Sequence, residues 1–170
     1  NVVGLLLLFV GLAMLLPTGV ALAYGDGGVI ALLASAAVTT LAGGAMYRTT
    51  RFEGDLTLRE GYGIVTFAWT AIAVFGALPY LLSGSIPGVL PAVFESMSGF
   101  TTTGASVLSD IEALPHGVLF WRSFTQWLGG MGIIVLVVAV LPTVGSGGMS
   151  LLQAEAPGPT GERLTPRVRE

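Results

Sequence analysis

Long runs without any charged residue divide this sequence into segments. The four longest runs cover residues 1–25, 27–47, 61–94 and 123–154. A charge at the centre of a bilayer costs about 3 kcal/mol or more, and about 20 apolar residues are needed to cross a hydrocarbon core about 30 Å thick. The runs therefore predict an all-α membrane protein whose helices cross the bilayer between the charges.

Each run supplies one predicted transmembrane helix. These helices are residues 2–23, 29–47, 61–82 and 117–141. Pro17 should kink the first helix, and Pro79 and Pro142 should help to end the third and fourth, because proline removes a backbone donor. A signal peptide is the alternative for the first run, whose end fits a small-residue cleavage pattern, but the run lacks a basic leader and is too long. The first run is therefore expected to be a transmembrane helix, and the first two helices should form a hairpin.

The arginines predict the orientation of these helices. Residues 48–60 and the tail after residue 155 carry three Arg each, whereas residues 83–117 carry neither Arg nor Lys. The positive-inside rule then places the arginine-rich segments and both termini in the cytoplasm, with residues 83–117 outside. The predicted organisation is a transmembrane hairpin (1–47), a cytoplasmic loop (48–60), two further helices with the segment between them (61–144), and a cytoplasmic tail or linker (145–170).

The composition argues against several function classes. Only 10% of the residues are charged, none is Lys and the net charge is -3, so no basic face is available for nucleic acid. Cysteine is absent and His116 is the only histidine, too few ligands for a clustered metal site. Ser106 and His116 do not make a hydrolase pair, because the Gly-x-Ser-x-Gly turn is missing. No phosphate-binding Gly-x-x-x-x-Gly-Lys motif is present either, so we expect no enzymatic activity.

One short apolar segment is too hydrophobic for an ordinary loop and too short to cross the membrane. It reads FESMSGFTTTGASVL over residues 94–108. Non-helical backbone at membrane depth is tolerated only where protein or a watery cavity surrounds it. The segment therefore predicts a re-entrant structure, with a short helix over residues 91–98 that ends at Gly99 and an extended stretch over residues 101–104.

This re-entrant geometry favours a cation. The negative end of the short helix's dipole would point at mid-membrane. Gly104 can adopt the positive φ that lets successive carbonyls face one side, where they can replace the water shell of an ion. The alternative is that the threonines only pack between helices and hydrogen-bond to backbone. The spacing leaves both interpretations open.

Several motifs surround this segment. They are FESMSGFTTTGAS at 94–106, Trp-Arg at 121–122, QWLGGMGII at 126–134 and Leu-Pro at 141–142. Together with Arg-Glu-Gly-Tyr at 59–62 and Ala-Glu at 154–155, they resemble the first pore repeat of the Trk/Ktr potassium-uptake family, in particular its TrkH-type membrane subunit. The first two helices fit the extra amino-terminal pair of that subunit, more by hydropathy than by sequence.

The resemblance implies a fold of four linked repeats around one potassium pathway, each with an outer helix, a pore helix, a filter strand and an inner helix. This sequence would supply four transmembrane helices plus one re-entrant pore helix and filter strand. Thr102, Thr103 and Gly104 would give the filter carbonyls, with Thr101 and Ala105 flanking them. In related plant transporters, a glycine at the position of Gly104 goes with potassium preference and a serine with sodium.

The resemblance also implies partners and a location. These are a homodimer in the inner membrane of a prokaryote, a cytoplasmic nucleotide-binding ring, lipid, and K⁺ as the transported ion with no covalently bound cofactor. One strand offers only a fraction of the roughly six to eight oxygens that a dehydrated cation prefers. We therefore expect three further repeats in the same polypeptide, because the sequence starts with Asn and stops in a polar tail. The predicted function is potassium transport, and the alternative is a non-conducting membrane scaffold or truncated remnant.

Further residues are expected to support the filter. Glu95 and Arg122 lie where a lone charge is expensive, so they should pair with each other or with backbone. This pair would act as a structural brace, or Glu95 would attract the ion directly. Three glycines predict a groove in the fourth helix that lets the pore helix or filter pack close, with a gating hinge as the alternative. These glycines are Gly129, Gly130 and Gly132.

Residues near the outer ends of the helices have simpler expected roles. Trp121 and Trp127 should anchor the fourth helix at the level of the lipid headgroups. Asp110 and Glu112 either raise the cation concentration above the filter or are solvated loop acids.

Overall fold

The computed structural model describes residues 2–49 and 58–132, with side chains from residue 63 onward in the second range. The regular structure in these ranges is helical. Its helices are α1 (Val2–Ala13), α2 (Leu15–Tyr24), α3 (Val29–Thr49), α4 (Leu58–Gly76), α5 (Leu78–Leu82) and α6 (Val89–Phe100), followed by α7, which begins at residue 116 and is described to residue 132. The described residues up to Met131 belong to one compact unit.

Three predicted membrane spans are confirmed as helices long and apolar enough to cross a bilayer. They are Val2–Tyr24, Val29–Thr49 and Gly63–Leu82. The helix predicted as the fourth span begins at residue 116, one residue before its predicted start. Its predicted end at residues 141–142, most of the predicted loop 48–60 and the whole tail 145–170 lie outside the described residues.

Two of the spans are interrupted near a proline. α1 ends at Ala13 and α2 begins at Leu15, because Pro17 has no N–H to donate to the carbonyl of Ala13. The hydroxyl of Thr18 donates to the carbonyl of Met14 at 2.8 Å. The assigned helix is thus interrupted at Met14, where the amides of Met14 and Thr18 still bond to the carbonyls of Val10 and Met14, and the kink at Pro17 stays a prediction.

The third span ends at Leu82, as predicted, and Pro79 lies three residues before that end. α4 stops at Gly76, and Pro79 lies in the first turn of α5, which continues to Leu82. A proline is tolerated in a first turn, because the N–H it lacks would have no intrahelical partner there. The break leaves the carbonyl of Gly76 as a free acceptor inside the protein.

Trp121 uses that acceptor, and its predicted place at the headgroups was wrong. Its side chain is fully buried, and its indole N–H donates to the carbonyl of Gly76 at 3.0 Å. A buried indole needs a partner for its N–H, and the end of α4 provides one. Trp127, in contrast, is 58% exposed, and its placement at the headgroups stays a prediction.

The short helix between the third and fourth spans is longer than the predicted 91–98. α6 extends over Val89–Phe100, and Gly88, with φ of 112°, is its N-cap. Pro91 is its third residue, where the helix requires no N–H from it. The prediction that Gly99 ends the helix was wrong, because Gly99 lies inside the last turn.

The hairpin is held by close contact between the backbones of α1 and α3. A Cβ atom on Gly4 would lie 2.6 Å from the amide nitrogen of Tyr47, and one on Gly43 would lie 2.6 Å from that of Leu8. Small residues permit such approach between helices in lipid. A buried apolar cluster then joins this hairpin to the remaining helices of the unit. Its members include Val10, Met14, Leu32, Tyr80, Phe100 and Trp121.

We predict that Gly43→Ala lowers the free energy of unfolding by about 1–3 kcal/mol, because the new methyl group meets backbone that cannot rotate away. The midpoint of thermal unfolding in detergent measures this change. Gly44→Ala is the matched control, since its nearest neighbour would be a Leu8 side-chain carbon at 3.8 Å. Equal midpoints for the two variants would contradict the close contact.

Candidate functional site

Residues 101–105, which we call the return segment, leave the end of α6 in an irregular and exposed conformation. The amide groups of Thr101, Thr102 and Thr103 donate to the carbonyls of Met97, Gly99 and Ser98, at 2.8, 3.0 and 3.0 Å respectively. These carbonyls belong to the last turn of the helix, where no intrahelical donor remains. The start of the return segment is therefore fixed by the end of α6.

The carbonyl oxygens of the return segment differ from its first three amide groups in their hydrogen bonding. Across the described ranges, no hydrogen bond reaches the carbonyls of Thr102, Thr103 or Gly104. Exposed, unpaired carbonyl oxygens are the ligands that ion filters offer to a dehydrated cation. Among the described residues, no three His, Cys, Asp or Glu side chains gather to offer a metal site of another kind.

Two residues of the return segment have left-handed backbone. Gly104 has φ of 76°, as predicted from its lack of a side chain, and Thr102 has φ of 57°. A β-branched residue in this region costs roughly 1–2 kcal/mol, so nothing in the sequence signals the conformation of Thr102. Such strain persists where surrounding contacts fix it, and the N–H groups of Thr102 and Thr103 are both bonded to α6.

Glu95 is the most connected side chain of the site, and only 1% of it is exposed. Its carboxylate accepts hydrogen bonds from the hydroxyl of Ser106 at 3.0 Å, the amide of Val107 at 2.9 Å and the Nε of Arg122 at 2.7 Å. The structure thus pairs Glu95 with Arg122, one of the two arrangements expected for them. Because protein donors surround the carboxylate, the geometry favours a brace over direct attraction of an ion.

The same three contacts join separate parts of the chain. Glu95 lies on α6, Ser106 and Val107 follow the return segment, and Arg122 lies on α7. A buried charge needs both a counter-charge and hydrogen bonds. Here the counter-charge comes from α7, and the other hydrogen bonds come from the residues after the return segment. The carboxylate therefore fixes the position at which the chain leaves the return segment.

α7 packs directly on the end of α6. A Cβ on Gly129 would overlap the carbonyl of Phe100 and lie 2.6 Å from its carbonyl carbon, and a Cβ on Gly99 would lie 3.2 Å from the Cβ of Thr125. Gly99 and Gly129 thus allow the two helices to pack closely. The contact with Thr125 was not evident from the sequence.

Of the three glycines predicted to form a groove, Gly129 makes the close contact, and the groove itself stays a prediction. A Cβ on Gly130 would meet only the methyl group of Thr102, at 3.9 Å. Gly132 is the last described residue of α7.

Asp26, between the first two spans, holds the start of α7, a role that the sequence did not reveal. Its carboxylate accepts the amide of Gly28 at 3.0 Å and the amide of Gly117 at 3.0 Å. An acid at a helix N-terminus is favourable because of the helix dipole. His116 lies beside it, with Nδ1 3.8 Å from a carboxylate oxygen of Asp26 and its ring stacked on Tyr24.

The remaining polar candidates have local roles in the structure. Asp110 accepts the amides of Glu112 and Ala113 at 3.2 and 3.3 Å, as expected of an acid that stabilises a loop turn. Ser106 bonds to Glu95, whereas His116 contacts Asp26 and Tyr24. The structure does not bring Ser106 and His116 together as a nucleophile and base.

Comparisons with known proteins agree with the resemblance. The family model TrkH, described as a cation transport protein, matches residues 30–170. The Trk system potassium uptake protein TrkH of Escherichia coli K12 is 45% identical over 174 residues, and that of Halomonas elongata is 43% identical over 173. Both alignments cover 100% of this chain but 36% of the relative, so the chain spans about a third of the length of these proteins.

A solved structure is also similar. The crystal structure of the potassium transporter TrkH from Vibrio parahaemolyticus matches with a TM-score of 0.78 and 42% sequence identity. The match covers 91% of this chain and 34% of that one. At this identity, the likeness extends to sequence as well as to fold.

We predict that Arg122→Gln destabilises the protein by about 3–5 kcal/mol, because it leaves the Glu95 carboxylate buried without a counter-charge. The amount of folded protein in the membrane and its unfolding midpoint should both fall. Adding Glu95→Gln should restore part of the loss, since the double variant buries no charge. Normal protein levels with altered sodium permeation would show that the pair acts on selectivity instead.

Proposed function

The chain belongs to the TrkH cation transport protein family, and we propose that it forms the amino-terminal part of a potassium uptake pore. In this proposal, the return segment supplies one of four selectivity-filter segments. The observation that carries the proposal is that Thr102, Thr103 and Gly104 are exposed and that their carbonyls accept no hydrogen bond from the described part of the chain. Thr101 and Ala105 flank them, and K⁺ is the transported ion.

In the proposed pore, α6 is a re-entrant helix, which enters the membrane without crossing it. This helix has 12 residues, which span about 18 Å at 1.5 Å per residue and cannot cross a core of about 30 Å. Entry from outside would bring its carboxyl end, with the negative end of its dipole, to the return segment. The proposed order is then the outer helix formed by α4 and α5, the pore helix α6, the filter strand and the inner helix α7.

A complete ion site needs more oxygen ligands than this chain alone supplies. Within the described ranges, one return segment offers four carbonyls that accept no hydrogen bond, those of residues 101–104, fewer than the roughly six to eight oxygens a dehydrated cation takes. We propose that three further repeats complete the filter, in keeping with the chain's length of about a third of its relatives. Their return segments would surround the same pathway, opposite the exposed side of this one.

We further propose the domain division and orientation given by the charge pattern. Residues 1–47 form the hairpin, 48–60 a cytoplasmic loop, 61–144 the first pore repeat and 145–170 a cytoplasmic tail or linker. The three Arg in the loop and the three in the tail support cytoplasmic termini in a prokaryotic inner membrane.

The proposed partners follow from the family resemblance. They are a second copy in a homodimer and a cytoplasmic nucleotide-binding ring. The loop and the tail are the proposed contacts with the ring, because they are the segments assigned to the cytoplasm. The chain itself carries no phosphate-binding motif, so a nucleotide would act through the other subunit.

The test of the filter is Gly104→Ser in the full gene product that contains this chain. A side chain at φ of 76° is strained, and the carbonyl positions should shift. We predict that the preference for K⁺ over Na⁺ falls by about fivefold or more, equal to about 1 kcal/mol. Ion uptake by cells that lack other potassium transporters measures this ratio, with protein levels matched by immunoblot.

Gly84→Ser is the matched control. Gly84 has φ of 70°, and neither Gly84 nor Gly104 has an atom within 4 Å of a Cβ placed on it. The two substitutions therefore impose similar backbone strain, but Gly84 lies in the loop between α5 and α6. An unchanged ion preference in Gly104→Ser, or an equal change in both variants, would refute the filter assignment.

A further inference from the structure

Ser98 contacts the return segment on both sides of Gly104. Its backbone carbonyl accepts the amide of Thr103 at 3.0 Å, and its hydroxyl donates to the carbonyl of Ala105 at 2.5 Å. Ser98 lies in the last turn of α6 and is buried. Ser98, on a rigid helix, therefore fixes Thr103 and Ala105, the residues on either side of Gly104.

The hydroxyl of Ser98 also makes the carbonyl of Ala105 different from the carbonyls that precede it. The carbonyls of Thr102, Thr103 and Gly104 accept no hydrogen bond from the described residues, whereas that of Ala105 accepts one from Ser98. The positive end of an O–H dipole at a carbonyl oxygen opposes the approach of a cation to that oxygen. The row of fully available oxygens thus ends at Gly104.

We propose that Ser98 is a positioning residue that sets the ion preference of the pore. Its hydroxyl holds the peptide of Ala105 and so keeps Gly104 in the conformation that presents the last free carbonyl. This inference rests on the proposed function, because it gives Ser98 a role only if the return segment binds the ion. Glu95 continues the same support one residue further on, through Ser106 and Val107.

The same helix contains a matched control. Ser96 is two residues before Ser98 and is also buried. Its hydroxyl has no hydrogen-bond partner among the described residues. Ser96→Ala and Ser98→Ala therefore remove the same atom from similar surroundings, and only the second removes a bond to the return segment.

The experiment measures uptake of K⁺ and Na⁺ by the full gene product in cells that lack other potassium transporters, at matched protein levels. Ser98→Ala should lower the preference for K⁺ by about fivefold, the ratio expected for one ordinary hydrogen bond. Ser98→Thr retains a hydroxyl and should recover most of the preference. Ser96→Ala should keep the wild-type ratio.

The outcomes separate this inference from the filter assignment. If Gly104→Ser changes the ion preference and Ser98→Ala does not, the role of Ser98 is refuted and the filter remains. If neither variant changes it, the filter assignment itself fails. Should Ser98→Ala not accumulate in the membrane, Ser98→Cys decides, because its thiol is similar in size but a weaker donor. A wild-type ratio in that variant overturns the inference.

Discussion

The buried carboxylate of Glu95 is the interaction on which the arrangement of the site depends. It bonds to Ser106 and Val107 beyond the return segment and to Arg122 on α7, while its own backbone belongs to α6. A buried ion pair does not stabilise a fold merely by being present, because desolvation offsets the attraction between the charges. Its value here is geometric, since a carboxylate whose three donors lie on two separate segments has few alternative positions.

Within the described ranges, the hydrogen bonds that hold the return segment and the residues after it come from α6. The first three amides of the segment bond to the end of α6, Ser98 holds Ala105, and Glu95 holds the residues that follow. The first three amides of this stretch are thus directed to the protein, whereas the carbonyls of Thr102, Thr103 and Gly104 accept no hydrogen bond from the described residues. Unpaired carbonyls facing hydrocarbon would each cost several kcal/mol, so this arrangement suits a backbone that lines a polar pathway, as we propose.

The spans could be predicted from sequence because lipid penalises charge strongly wherever it occurs along a helix. The errors concern contacts that depend on the tertiary structure. Trp121 is buried because a break before Pro79 frees the carbonyl of Gly76, and Asp26 bonds to a residue 91 positions away. Neither contact has a local signature. The left-handed Thr102 contradicts local preference, and its N–H bonds to Gly99 at the end of α6.

These contacts also connect the hairpin to the return segment. Asp26 bonds to the first turn of α7, and Gly117 on that turn has no room for a side chain, because a Cβ would lie 2.6 Å from that of Ala21. Further along the same helix, Arg122 and Gly129 contact Glu95 and the end of α6. A helix is stiff over this length, so a displacement of the hairpin at one end of α7 must be accommodated at the other. The hairpin therefore belongs to the support of the proposed filter, although it contributes no residue to it.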